Sequence, residues 1–174
     1  MVNGAVYPLT YDRLKDFEPV ALVTSNSYVI VAKNATPASD LKGFIAWLKA
    51  NPDKATKGTA GAGSPQHVSG VFFQSATGTQ FQFIPYRGAA PAMQALMAGD
   101  LDFIINDPAS ALPQGRGGKT KAFAVTAKIR LASAPDIPTV NEAGLPGFYF
   151  PRWHALWVPA NTRPKTSLPS STQR

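Results

Sequence analysis

The chain has 174 residues, of which 44% are apolar, with 16 prolines, 14 glycines, no cysteine and a formal charge of +7. That apolar content suffices for a packed core, while the proline and glycine content excludes a plain helical bundle and favours many short elements joined by turns. The lack of cysteine excludes disulfides, thiolate metal sites and cysteine nucleophiles, and leaves the redox compartment open.

Met1 is followed by Val2, Asn3 and Gly4, without the basic region and apolar core of a secretory signal, and no apolar run approaches the roughly 20 residues that cross a bilayer. The 17 Lys and Arg against ten Asp and Glu favour acidic partners. These cations form no stripe and accompany no aromatic RNA-binding signature, so nucleic acid is not an expected partner.

The first sixteen residues are polar, broken by Pro8, and read as an extended arm. Val20 to Val23 and Tyr28 to Ala32 are β-branched-rich runs bounded by turn residues, the pattern of buried strands. Thr36 as N-cap and Pro37 at the first helical position predict a helix over 38–50, with Leu41, Phe44, Ile45 and Leu48 on one face and Trp47 packing beside them. Lys42, Lys49 and Lys54 read as its solvated side. After Gly58 to Ser64, with Pro65 at a helix start, a helical run from Val68 to Ala76 stops at Gly78.

Phe81 to Tyr86 reads as a strand, Pro91 to Ala98 as a helix stopped by Gly99, and Leu101 to Ile105 as another strand with Asp100 and Asp102 in solvent. A short helix over 109–114, a strand over 123–126, a Pro-rich connection over 135–146 and a strand over 154–158 follow. Strands alternating with helices predict an α/β fold with a mainly parallel sheet. The residues from Asn161 onward have almost nothing to bury, and disorder is expected over 161–174.

In open parallel sheets the loops beyond the carboxyl ends of the strands carry the ligand. Three such loops are expected on one rim. The first is Thr59, Ala60, Gly61, Ala62, Gly63 and Ser64, where a Gly-rich turn enters a helix capped by Ser64 and the helix N-terminus favours an anion. A plain strand-to-helix turn explains the same spacing. The second is Tyr86, Arg87 and Gly88, running to Ala90; the third is Asn106 and Asp107, running to Ser110. His67 either lines the anion site or packs against the turn.

Evidence for catalysis is thin. His67 and His154 are the only histidines and neither has neighbours at metal-ligand spacing, so no metal is expected. Pro65 directly after Ser64 removes the amide that a nucleophile-elbow serine needs, and the turn lacks both the Gly-Lys-Ser/Thr ending of a phosphate loop and the third glycine of a dinucleotide fingerprint. No cofactor or catalytic residue is expected. An enzyme of small carboxylic acids built on Tyr86, His67 and Asp107 remains as a weaker alternative.

Six motifs in order resemble the Bug receptors, the TctC family of substrate-binding proteins of tripartite tricarboxylate transporters. They are Tyr11 to Leu22, Gly61-Ala-Gly-Ser-Pro-Gln-His67, Pro85 to Ala92, Gly99 to Asp102, Ala122 to Thr126 and Pro135 to Gly147. The likeness covers about residues 7–160. It implies a two-lobed periplasmic binding protein that closes on a small carboxylic acid and delivers it to the transporter's membrane components, without catalysis. It also implies that the turns at Thr59 to Ser64 and Tyr86 to Ala90 hold a ligand carboxylate in the second lobe.

On that likeness the chain divides into an arm and first-lobe strand over 1–26, the second lobe over 27–127, a crossover and first-lobe strand over 128–160, and the tail over 161–174. Most of the first lobe lies outside the likeness. Its strands at Val20 to Val23 and His154 to Val158 then lack their sheet and expose apolar edges, which gives an alternative function as a self-associating, weakly binding receptor remnant.

Overall fold

The structure is a computed structural model describing residues 8–162. The first seven residues of the expected arm and nearly all of the expected disordered tail lie outside that range. A five-stranded sheet has the order β4-β3-β5-β2-β6, and a separate two-stranded ribbon pairs β1 with β7. The strands are β1 (Phe17–Ser27), β2 (Val29–Lys33), β3 (Thr56–Thr59), β4 (Gln82–Pro85), β5 (Phe103–Asn106), β6 (Thr120–Val125) and β7 (Pro151–Pro159).

Strand β3 is parallel to β4 and β5, whereas β2 runs antiparallel to both β5 and β6. Four of the five strands therefore share one direction, as the alternating pattern predicts. The exception is β2, which continues directly from β1 of the ribbon through Tyr28 and enters the sheet against the direction of its neighbours.

The helices are α1 (Leu41–Ala50), α2 (Pro65–Thr77), α3 (Ala89–Ala98) and α4 (Pro108–Arg116). Helix α1 begins three residues later than the expected 38. Asp40, not Thr36, is its N-cap, with the carboxylate accepting from the Gly43 amide at 2.7 Å. Thr36 is instead buried, its carbonyl taking a hydrogen bond from Lys121 Nζ at 2.7 Å. In α2 the expected cap holds: Ser64 accepts from the His67 amide, Pro65 opens the helix, and Gly78 closes it in the left-handed conformation.

The sheet is covered on both faces. Tyr28, Ile30, Phe103, Ile105 and Phe123 pack with α1 and Phe73 of α2, while Val29, Val31, Ile104 and Val125 pack with Met93 and Leu96 of α3 and Leu112 of α4. Phe44 stacks on Phe123 and Trp47, so the packing role expected of Trp47 holds. Lys42, Lys49 and Lys54 are exposed, as expected.

Two expectations about burial change. Strand β1 is not buried: Val20, Leu22 and Val23 are 57%, 65% and 56% exposed, because the ribbon stands off the sheet and is covered by neither helix layer. Asp102 is not in solvent. It receives Lys33 Nζ at 2.8 Å and the Thr56 amide at 2.7 Å, pinning the start of β5 between β2 and β3.

Lys57 of β3 drew no expectation from the sequence. It is fully buried at 0% exposure. Along β3 it points to the α2 face, and Gly58 points to the α3 face, where a Cβ would come within 2.5 Å of Leu101. The Lys57 stem runs beneath α2 beside Gly70, and burial pushes its ammonium down to about 7.

Two outcomes test this packing. A Cβ at Gly70 would lie 2.4 Å from Phe83 Cε1 and 2.9 Å from Lys57 Cδ, so Gly70→Ala should destabilise by about 1–3 kcal/mol in chemical denaturation. Helix propensity alone predicts the opposite sign, a gain of about 1 kcal/mol, so an equal or higher midpoint would show that the space is open. For Lys57, the unfolded chain binds its proton up to about 10.5 and the folded chain only up to about 7. Stability should therefore rise with pH between those values, and Lys57→Met should flatten that rise and be the more stable protein at pH 6. Thermal midpoints from pH 6 to 9 for both chains decide it.

Candidate functional site

The parallel pairing of β3 with β4 sets Thr59 opposite Pro85, and the pairing of β3 with β5 sets Lys57 opposite Phe103. The three turns that leave these strands therefore start side by side on one rim. The Tyr86 amide donates to the Thr59 carbonyl at 2.8 Å, and Gln66 Nε2 donates to Asn106 Oδ1 at 3.3 Å, joining all three.

In the first turn, Gly61 and Gly63 have φ of 98° and 73°, values that other residues adopt at a cost. The turn satisfies much of its own backbone. Thr59 Oγ1 accepts from the Gly61 amide, the Gly61 carbonyl from the Ser64 amide, Ser64 Oγ from the His67 amide and His67 Nδ1 from the Gly63 amide. His67 packs its ring on Phe83 with centroids 4.8 Å apart, so it braces the turn. Ala60 is half-buried and Ala62 exposed. What this turn offers an anion is chiefly the positive end of α2.

The second turn is more open. Gly88, with φ of 124°, precedes α3 as its N-cap and supplies no side chain to cap it. Arg87 is exposed and Tyr86 half-buried at the same corner. An acidic group is the natural cap for such a helix start.

The third turn is occupied by internal bonds. Asn106 is 1% exposed and donates through Nδ2 to Ser110 Oγ. Asp107 caps α4 through the Ala109 amide at 3.0 Å, and its Oδ2 pairs with Arg152 at 3.3 Å.

Arg152 brings in the ribbon. It lies near the start of β7, opposite Asn26 of β1, with its guanidinium 5.8 Å from the Tyr28 ring centre. Burial raises the Tyr28 phenol above its usual range, opposed by the charge of Arg152. The ribbon root is tied to the sheet by Thr126, whose Oγ1 accepts from the Tyr28 amide at 2.8 Å while the Phe150 amide donates to its carbonyl at 3.1 Å.

Between this root and the start of α2 opens a cleft of about 490 Å³, bordered by Gly63, Pro65, Arg13, Arg152, Trp153 and His154. His154 Nδ1 lies 3.0 Å from Thr24 Oγ1 across the ribbon. Sequence reasoning missed Arg13, Arg152 and Trp153 as cleft residues. The only signal was the run Phe148-Tyr-Phe-Pro-Arg-Trp-His154, in which aromatic and basic residues crowd the entry to a strand.

The described residues hold no cluster of three or more His, Cys, Asp or Glu able to bind a metal ion, and no described helix is long and apolar enough to cross a membrane.

The family model described as tripartite tricarboxylate transporter family receptor, TctC, matches residues 3–168. A UPF0065 protein in the TAR-I ttuE-ttuC' intergenic region of Agrobacterium vitis is 36% identical over 160 residues, 91% of this chain and 46% of that protein. Among solved structures, MatC from Rhodopseudomonas palustris with bound malate matches with TM-score 0.86 and 33% identity, over 93% of this chain and 55% of its own. Rpa4515 of R. palustris with adipate matches with TM-score 0.84 and 27% identity, over 91% of this chain and 53% of its own. The chain thus spans about half the length of the relatives it matches. The family and its solved members are solute-binding receptors, not enzymes, which removes the alternative of an enzyme on Tyr86, His67 and Asp107. The chain belongs to the TctC family of tripartite tricarboxylate transporter receptors.

Proposed function

We propose that the chain is the carboxylate-receiving lobe of a periplasmic receptor, which holds a small carboxylic acid on this rim for the membrane components of a tripartite tricarboxylate transporter. The observation that carries the reading is the likeness to MatC, whose solved structure holds malate. The rim geometry supports it. The starts of α2 and α3 open side by side, and Arg152 and Arg13 border the adjoining cleft. One carboxylate sits at the start of α3, beside Arg87 and Gly88; the remainder of the ligand extends along Gly61 to Ser64 toward Arg152.

Calorimetric titration with malate and adipate tests this. Saturable binding is expected, weakened at least tenfold in Gly63→Val and in Gly88→Val, whose positive φ values are costly for a β-branched side chain. Unchanged affinity in both variants, with circular dichroism showing them folded, would move the ligand off this rim.

A second reading rests on a separate observation, the exposed apolar ribbon. Leu22 and Leu156 are 65% and 59% exposed, and they are near one another in the β1–β7 register. A second copy of the chain covers this surface in that reading. Light scattering should then show mass rising with concentration toward a dimer, and the double variant Leu22→Lys/Leu156→Lys should stay monomeric. A constant monomer mass in the unaltered chain would discard self-association.

A further inference from the structure

We propose that Lys57 is the buried countercharge of the ligand, and that docking of a carboxylate over the first turn of α2 transfers a proton from solvent to its amine; this rests on the carboxylate reading above. Lys57 Nζ donates at 2.6 Å to the carbonyl of Gln66, the second residue of α2. The amine thus lies directly under the helix turn that Ser64 caps. Gly70, four residues on, leaves the gap through which the stem passes, and Phe83 closes the other side with its ring centre 5.9 Å from Nζ.

This placement is costly without an anion. An ammonium carries three donors, and the Gln66 carbonyl that receives one is shared with Ser69 Oγ at 2.9 Å. No acid among the described residues pairs with Lys57. On the elements packed around it, the titratable groups are His67 on α2 and the acids flanking β5, Asp102 and Asp107; β4 has none. Asp102 is held by Lys33 and Thr56, Asp107 by Arg152 and the α4 cap, and His67 Nδ1 faces the Gly63 amide.

With the neighbouring described acids engaged elsewhere, the compensating negative charge in this proposal is the ligand, seated over the first turn of α2. Burial already holds the amine near neutrality, at about 7, so a carboxylate arriving there draws a proton onto Nζ. By linkage the protonated amine tightens the carboxylate, and the site binds better below the amine's midpoint than above it.

The test is calorimetric titration of the whole chain with malate and with adipate at pH 7.5, in HEPES and in Tris, whose ionisation enthalpies differ. Both acids are fully ionised there and bring no proton of their own. The expected result is uptake of about half a proton per ligand, with affinity falling up to about tenfold from pH 7 to 9. In Lys57→Met, which keeps the length of the stem, binding should persist with equal enthalpies in the two buffers and a flat pH profile. As a check independent of that variant's folding, NMR of the chain carrying ¹³C-labelled lysine should show one Cε signal with a midpoint near 7 that moves up by about one pH unit under saturating malate. Binding without proton uptake, or uptake that persists in Lys57→Met, overturns the inference and leaves the carboxylate reading standing. No binding of either acid removes both.

Discussion

The root of the ribbon is the constraint on which the rest of the molecule depends. Three chain segments cross there: β1 becoming β2 at Tyr28, the end of β6 at Thr126, and the approach to β7 at Phe150. Thr126 joins them by accepting from the Tyr28 amide through its hydroxyl, donating its own amide to the Tyr28 carbonyl at 2.8 Å, and accepting from the Phe150 amide. A threonine suits this role because one short branched side chain adds a hydroxyl partner to its two backbone groups without disturbing a packed strand end. Since Tyr28 lies at the rim where β3 and β5 end, fixing it also fixes where the ribbon leaves the sheet. The cleft between α2 and β7 follows from that angle.

Two basic residues of unlike kind lie in this region, Arg152 bordering the cleft and Lys57 buried beneath the start of α2. Arg152 keeps its charge and pairs with Asp107, whose carboxylate also caps α4, so it is positioned without being buried. Lys57 has no acid partner among the described residues, and its amine meets a backbone carbonyl already shared with a serine. A buried amine with so little compensation is usually replaced by an apolar residue unless something else requires the charge. Gly70 strengthens that argument, because a small residue opposite the stem gives the lysine room at the expense of helix propensity.

Much of this was legible in the sequence, for local reasons. Ser64-Pro65 and Gly78 mark the ends of α2 through capping chemistry that acts within one turn, and Gly99 ends α3 in the same way. The alternation of strands and helices set the α/β class. What escaped depends on long-range placement. Val20 to Val23 have the apolar run of a buried strand, and only the sheet order reveals that β1 pairs with β7 in the open. Asp102 looks like a solvated acid until β2 and β3 bring Lys33 and Thr56 to it. The cap of α1 was misplaced because Thr36-Pro37 and Asp40 are both competent, and local chemistry does not choose between them. In the site, the glycines of the first and second turns were readable from their spacing, but Arg152 and Lys57 are placed by partners 45 and 9 residues away.

In the proposed site, the exclusion of water decides how much each charge contributes. A carboxylate on the rim at about 6 Å from a cation gains only about 0.7 kcal/mol if water surrounds both, and about 3 kcal/mol where the effective dielectric falls to about 20. Whatever covers the rim therefore matters as much as the charges on it. The ribbon is placed to support such a cover: it rises from the edge of the cleft, exposes Val20, Leu22 and Leu156, and is held to the sheet at its root. Lys57 works from beneath, as a charge that water cannot screen. In the proposed site a ligand is thus held between an unscreened cation below and a water-excluding surface above, and each strengthens the contribution of the other by lowering the dielectric between them.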